Sequence, residues 1–309
     1  MKVLFVCSGS NGVPGTVVGE QGRSVGGRVV LSWFIIGRRG LFGYISMTLR
    51  LRRLLRKESY DIIHAHYGYS AISATIAGAK PLVVSLMGSD LSSIGFGTMM
   101  VRFFAKRVWR HIIVKSDQMR SLIGRGDIQV IPNGIDMNLF RPISKADARK
   151  RLGWNMDKSV VLFAADPARE EKNYGLFRRA VETEGSGNIE EVVLGRVPHY
   201  DMPLYYNASD VIVLTSRREG SPNVIKEAMA CGRPVVTTAT GDTEWLLGHT
   251  AGCYIVEGNP EDIAGKLSEA LMFSHKEGTT EGRSRMEALS LDSESVALRL
   301  TELYSTVRE

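Results

Sequence analysis

The sequence predicts an α/β protein of two Rossmann-like domains facing each other across a cleft. Three observations carry that expectation. Short runs rich in Val, Ile and Leu alternate with helical patterns along the whole chain, as in βαβ units. The runs are nearly continuous in apolar residues, as in parallel strands buried on both faces. A chain of 309 residues, 44% of them hydrophobic, can fill two cores.

In the first half the expected strands are 3–7 (VLFVC), 28–36, 61–65 (DIIHA), 82–86 (LVVSL), 111–114 (HIIV) and 128–131. In the second half they are 159–164 (SVVLFA), 191–194, 210–214 (DVIVL), 234–238 (PVVTT) and 253–256. The seam falls in VIPNGIDMNLFRPISKADARKRLGW, residues 130–154. There Pro132-Asn133-Gly134 signals a turn, and Ser144 is placed to cap a helix over 145–152. Domains of 1–140 and 141–309 follow. The last helical pattern, 292–308, puts Val296, Leu300, Leu303, Tyr304 and Val307 on one stripe and is expected to pack back on the body. In such sheets ligands bind beyond the carboxyl ends of the strands.

Cys7, Cys231 and Cys253 fit no metal spacing, and so few cysteines suit a reducing cytosol better than a disulfide framework. The opening MKVLFVCSGS reads as a first strand rather than a signal peptide, and no stretch approaches about 18 clean apolar residues. A cytoplasmic location is expected. The net charge of +6 is unevenly spread: residues 1–140 hold 18 Lys/Arg against 7 Asp/Glu, and residues 141–309 hold 21 against 26. Such asymmetry suggests that the halves meet different partners.

The stretch EGSPNVIKEAMACGRPVV, 219–236, places two glutamates around a helix start. Ser221 suits the N-cap and Pro222 the first helical position. Gly232 would end the helix. The free N–H groups of its first turn, at Asn223 and Val224, form an anion site suited to phosphate. Glu219 in the loop and Glu227 within the helix can accept hydrogen bonds from vicinal hydroxyls. Phosphate and sugar could then be held together. The plainer alternative, that Glu219 is a loop charge and Glu227 a solvated helix position, stays open on these residues alone.

Glu219 and Glu227, with seven residues between them, resemble the signature of retaining GT-B glycosyltransferases of family 4, the glycosyl transferases group 1. DIIHAHYG (61–68), VIPNGID (130–136), REEKN (169–173) and VPHYDMPLYYNASDVIVLTS (197–216) agree with it in order and spacing. The resemblance covers nearly the whole chain. It implies a C-terminal domain that binds a nucleotide-activated sugar and an N-terminal domain that receives the acceptor. By position, Glu219 would contact the sugar hydroxyls and Glu227 the ribose hydroxyls. Lys172 would neutralise the diphosphate. The family arginine at the preceding strand end is replaced by Ala165-Asp166, which makes Arg169 the candidate substitute. Gly220, Ser221, Pro222, Asn223, Val224, Arg196 and Val197 would complete the donor side.

On the acceptor and sugar side the resemblance places Gly12, His66, Met87, Gly88, Asp90 and Asn133. Met87 stands where many members carry a histidine, so that contact is missing or comes from a neighbour such as Ser89, Asp90 or His66. His64 and His66 are expected on opposite faces of their strand, His66 lining the cleft. The segment SGSNGVPGTVVGEQGRSVGG (8–27) would be a flexible loop meeting donor and acceptor. No Asp-x-Asp pair occurs, in keeping with the metal-independent, retaining reaction that the resemblance implies, and no cofactor is expected beyond the nucleotide-sugar co-substrate.

Over 44–57, YISMTLRLRRLLRK, the helical period gathers Tyr44, Met47, Leu51, Leu54 and Leu55 on one arc. Arg50, Arg52, Arg53, Arg56 and Lys57 take the opposite one. Arg102, Lys106, Arg107 and Arg110 collect on a second helical pattern. Basic amphipathic helices fit an anionic membrane surface; a solvated basic face is the alternative. Nucleic acid has no supporting motif. The acceptor expected is a sugar, lipid-linked or part of a cell-envelope glycan, with the protein peripheral on the inner face of the membrane. A sugar-nucleotide epimerase of the same fold and a non-catalytic sugar-nucleotide-binding protein are the competing readings. The paired glutamates favour transfer.

Overall fold

The computed structural model describes residues 1–37, 40–92, 95–195 and 197–308. It divides into two compact units, Met1–Gly134 with Ser293–Glu309, and Ile135–Asp292.

The first unit holds β1 (Lys2–Ser10), β2 (Val13–Pro14), β3 (Val30–Ile36), β4 (Ile62–His66), β5 (Leu82–Ser85), β6 (His111–Val114) and β7 (Gln129–Val130). β1 lies between β3 and β4, and β5, β6 and β7 follow beyond β4. All pair in parallel except the short β2. The apolar runs explain this: β1 buries every residue from Val3 to Cys7, and β4 buries all five of its residues. Two-sided burial demands helices on both faces.

The second unit is a five-stranded parallel sheet. Its strands are β8 (Ser159–Phe163), β9 (Ile189–Val193), β10 (Val211–Leu214), β11 (Val235–Thr238) and β12 (Cys253–Val256). The order is β12-β11-β10-β8-β9. The chain adds β9 on one side of β8 and then crosses to place β10 on the other. That reversal puts the topological switch between β8 and β10.

The expected strands all form, with ends differing by at most three residues, the largest difference being β1, which runs on to Ser10. So does the Lys145–Leu152 helix, capped by Ser144 Oγ accepting from Asp147 N at 3.3 Å. The division of the chain differs from the expected one. Ile135 and Phe140 are buried in the core of the second unit, and Ile135 N donates to Leu291 O at 2.9 Å. The Ser293–Arg308 helix belongs to the first unit. Its Val296, Ala297, Leu300, Leu303 and Tyr304 share a core with Val3, Phe5, Cys7, Ile62 and Val83. An amphipathic stripe says that a helix packs; it does not say on which core. Full burial of each large apolar side chain contributes on the order of 1.5–3 kcal/mol, so this helix is firmly held.

Segment 8–27 is not a flexible loop. β1 runs on to Ser10, Asn11 and Gly12 turn with φ of 51° and 77°, and Thr16–Gly26 is helical. Asn-Gly supplies the two positive φ values that a two-residue hairpin turn requires. The helix that follows buries Val18, Gln21, Gly22 and Val25. Its many glycines masked its amphipathic period. Among the described residues, no helix is long and apolar enough to cross a membrane.

Candidate active site

The loops leaving β8 and β10 flank the switch point of the second unit, where open parallel sheets bind their ligands. Lys172 ends a short 3-10 turn, Glu170–Lys172, in the loop after β8. Glu219 lies in the loop after β10. Lys172 Nζ reaches Glu219 Oε1 at 2.5 Å, with the two side chains only 12% and 15% exposed. Thr215 Oγ1 ties the loops together by donating to Lys172 O at 3.0 Å. Two of the expected catalytic residues thus meet.

Arg169 does not join them. Its guanidinium pairs with Glu171 and is half-exposed. Asp166, at the departure from the family pattern, accepts from Ala168 N at 3.0 Å and shapes the start of this loop.

Glu227 is buried at 4% exposure, which removes the solvated-helix alternative. Its Oε1 lies 2.8 Å from His199 Nε2, and its Oε2 accepts from Tyr206 Oη at 2.8 Å. Burial, then the Glu227 charge, pushes the Tyr206 hydroxyl well above its ordinary range, so it stays a donor. The His199 ring packs 5.1 Å from Phe140. His199 and Tyr206 were not singled out by the sequence, although both lie in VPHYDMPLYYNASD. Their role becomes visible only once the Met202–Ala208 and Asn223–Ala230 helices are packed together.

The Asn223–Ala230 helix starts one residue later than expected. Pro222 takes the cap position in extended conformation, and no side chain caps the first turn. Ser221 is therefore not the N-cap; its hydroxyl is buried without a hydrogen-bond partner. Gly220, Ser221 and Pro222 are buried beneath the loop. Asn223 and Val224 open the helix, and Asn223 Oδ1 accepts from Lys226 Nζ at 3.3 Å. With a proline and no side-chain cap, first-turn N–H groups remain for an anion. Gly232, at φ 68°, follows the last turn as expected. Val197 packs against the core of this unit. Arg196 lies outside the described residues.

Comparison with known proteins fits this arrangement. A family model described as Glycosyltransferase Family 4 matches residues 1–139, and one described as Glycosyl transferases group 1 matches residues 159–272. The chain belongs to this glycosyltransferase family. A D-inositol 3-phosphate glycosyltransferase of Streptosporangium roseum is 25% identical over 86% of this chain and 74% of its own length. A UDP-Gal:alpha-D-GlcNAc-diphosphoundecaprenol alpha-1,3-galactosyltransferase of Escherichia coli is 24% identical over 69% of this chain and 67% of its own. Among solved structures, Anabaena HepE in complex with UDP and glucose matches with a TM-score of 0.77 at 19% identity, over 99% of this chain and 100% of that one. The fold is GT-B, and the enzyme is a glycosyltransferase working with nucleotide sugars.

In the first unit of the glycosyltransferase, the acceptor-side candidates gather at the carboxyl ends of strands. Gly12 turns beyond β1, His66 ends β4, and Met87, Gly88 and Asp90 follow β5. Asp90 Oδ2 accepts from Met87 N at 2.7 Å. Burial raises the Asp90 pKa, against a pull from the N–H groups of Met87 and Gly68. Asn133 is buried just before the seam. His64 and His66 do not face opposite sides. Residues two apart in a strand share a face, and the two rings lie 4.1 Å apart, both fully buried. His64 Nδ1 lies 2.6 Å from Tyr304 Oη and Nε2 2.8 Å from Ser85 Oγ, while neither His66 nitrogen has a hydrogen-bond partner. His66 is thus interior and lines no open surface.

Proposed function

We propose that this enzyme transfers a sugar from a nucleoside-diphosphate sugar with retention of anomeric configuration and without a metal ion. Its acceptor is a lipid-linked sugar or cell-envelope glycan, met at the inner, anionic membrane surface. The observation that carries the donor half is the Lys172–Glu219 pair at the switch point, beside a helix start with uncapped N–H groups. In the empty site Glu219 balances the lysine charge. A diphosphate takes over that role and leaves Glu219 to accept from sugar hydroxyls. Glu227, oriented by His199 and Tyr206, accepts from the ribose hydroxyls.

As the anomeric C–O bond breaks, the electron pair goes to the departing phosphate. Lys172 and the Asn223 and Val224 amides face that growing charge. They supply what a divalent cation would otherwise supply. The leaving phosphate oxygen takes the acceptor's proton on the face where the new bond forms, which is what retention requires. No dedicated base is needed.

Two observations support the membrane half. One is the relative named for a diphosphoundecaprenol-linked acceptor. The other is the surface of the first unit, where Arg50, Arg52, Arg53, Arg56 and Lys57 are exposed on the Gly40–Lys57 helix. Lys106, Arg107 and Arg110 are exposed nearby in sequence to Phe96, Met99 and Phe103, which are 74%, 59% and 56% exposed. Arg102 turns inward and donates to Leu91 O at 2.6 Å, so it leaves the expected basic face.

The test uses UDP-glucose, UDP-galactose, UDP-N-acetylglucosamine and GDP-mannose with and without a chelator. Release of nucleoside diphosphate from one donor, unchanged by chelation, is expected; release that stops on chelation overturns the metal-free reading. Liposomes decide the surface. Capture by acidic but not neutral vesicles is expected, fading over a few tenfold steps of salt. Equal capture by both kinds points to a soluble acceptor.

A further inference from the structure

β8 and β10 pair in parallel as far as Phe163 and Val213. Beyond that point the ladder stops, and the loops that leave the two strands are held by single hydrogen bonds. Thr215, 1% exposed, stands just past β10. Its Oγ1 lies 3.0 Å from Lys172 O and 3.1 Å from Asn173 O, so one hydroxyl proton is shared between two successive carbonyls. Arg217 N donates to Glu171 O at 2.8 Å, and Arg217 Nη2 to Asn173 Oδ1 at 3.4 Å. Residues 171–173 are thus tied in turn to 215–217. The tie meets a bend. Asn173 has a φ of 54°, a left-handed conformation that asparagine tolerates better than most residues. That bend separates the turn ending at Lys172 from the Tyr174–Glu184 helix.

A lysine ammonium rides on a flexible four-carbon stem, so its position depends on how the root of the stem is held. The root of Lys172 is its Cα, bonded directly to the carbonyl carbon whose oxygen Thr215 holds. Glu219, which meets Lys172 Nζ at 2.5 Å, leaves the same β10 loop. We infer that Thr215 is a positioning residue for Lys172: its hydroxyl sets where the lysine stem starts relative to the loop that carries Glu219. This rests on the proposed role of Lys172 at the donor diphosphate.

Holding the fold does not require this bond. The ladder below it and the apolar core around Phe163 and Val213 already fix β8 against β10. What the hydroxyl adds is the placement of a loop. A displacement of about 1 Å at a reacting group can cost about 100-fold in rate.

The experiment compares Thr215→Val, Thr215→Ser and Lys172→Ala with the unaltered chain, and adds the variant that carries both Thr215→Val and Lys172→Ala. Valine keeps the branched shape without the hydroxyl; serine keeps the hydroxyl without the methyl. Release of nucleoside diphosphate is read on whichever of the four donors above the unaltered enzyme uses. Thr215→Val is expected to lower kcat about tenfold or more, with KM changed less than about threefold, because the ammonium matters most in the transition state. Thr215→Ser is expected to stay within about threefold of the unaltered kcat. In the Lys172→Ala background the valine is expected to change kcat less than about twofold, since no ammonium is left to position. A full second loss in that background overturns the inference, as does a normal kcat in Thr215→Val or a serine variant as slow as the valine one. Backbone hydrogen exchange is read without ligand at Lys172, Asn173 and Arg217, whose amides are bonded within these loops. It is expected to speed about tenfold in Thr215→Val while the Pro260–Glu277 helix keeps its protection; unaltered exchange also overturns the inference. If none of the four donors is used, the proposed function fails, and the exchange measurement decides by itself whether Thr215 holds the Lys172 loop. Should Thr215→Val not fold, Thr215→Ala takes its place, with Thr215→Ser still its control.

Discussion

At the ends of β8 and β10 the second unit sets a lysine against a glutamate, both mostly buried. At the ends of β4 and β5 the first unit sets His64 between Ser85 and Tyr304, with the His66 ring packed 4.1 Å away, both imidazoles sealed from water. The architecture is the same, and the strand ends are used differently. A charged pair at the rim can exchange one partner for a phosphate with little net change in charge balance. A buried neutral cluster cannot exchange anything; it ties the last helix to the sheet. The net charges follow the same division, with 20 Lys/Arg against 9 Asp/Glu in the first unit and 19 against 24 in the second.

The largest effect expected is at the rim. Lys172→Ala removes the cation proposed to face the leaving phosphate, so kcat should fall about 100- to 1000-fold, as when an oxyanion donor is lost. Donor affinity should fall less, because the lysine matters most once charge develops. Steady-state and calorimetric measurements together check this. A variant with normal kcat and only a raised donor KM would make Lys172 a plain binding group and erase the contrast.

Acid should break the first unit before the second. Burial holds His64 and His66 well below their ordinary pKa; the charge of Lys115 adds to this at both, and His64 adds at His66. The unfolded chain takes up protons below about 6.5 and the folded unit does not, so stability present above that pH is lost as it falls. Each histidine contributes about 1.4 kcal/mol per pH unit. Asp242 has the opposite sign: its folded pKa is up at about 6, so the folded second unit gains relative stability as pH falls from about 6 towards 4. Hydrogen exchange at pH 7.5 and 5.5, corrected for intrinsic rate, should show β4 losing protection while β10 and β11 keep theirs. Equal loss in both units would contradict the assignment.

Much of this was legible in the sequence, for identifiable reasons. Continuous Val/Ile/Leu runs marked the strands, and the spacing of Glu219 and Glu227 pointed to the loop and helix where Glu219 meets Lys172 and Glu227 meets His199 and Tyr206. Register within a strand is legible as well: a period of two puts the His64 and His66 rings on one face, against the expectation of opposite faces. Other features depend on long-range packing that no local pattern carries. Tyr304 meets His64 across 240 positions, which hid the attachment of the last helix. Lys226 reads as an ordinary polar helix residue, and only the packed helix shows it fully buried. His199 and Tyr206 sat inside a motif whose order was visible and whose geometry was not.

Glu227→Ala sharpens the donor half of the comparison. It deletes the proposed acceptor for ribose hydroxyls, and a hydrogen bond to a charged group contributes roughly 1.5–3 kcal/mol. Titration calorimetry with UDP should show about a 10- to 150-fold weaker Kd. The loss should appear with UDP alone, since the proposed contact is to the ribose and not to the transferred sugar. Unchanged UDP affinity would reassign Glu227 to a structural role with His199 and Tyr206.

The smallest effect lies in the sealed cluster. Tyr304→Phe keeps the ring and its packing with Val3, Phe5 and Ile62 but removes the oxygen 2.6 Å from His64 Nδ1. One buried hydrogen bond is lost and one imidazole nitrogen is left without a partner, a cost of about 1 kcal/mol or somewhat more. The Ser293–Arg308 helix should exchange its amides several-fold faster, with the second unit and donor binding unaffected. Because His64 would then face a less polar neighbour, the variant's acid sensitivity should persist rather than shrink. If the variant instead weakened UDP binding as Glu227→Ala does, the cluster would be serving the donor site and the division of roles between the two units would fall.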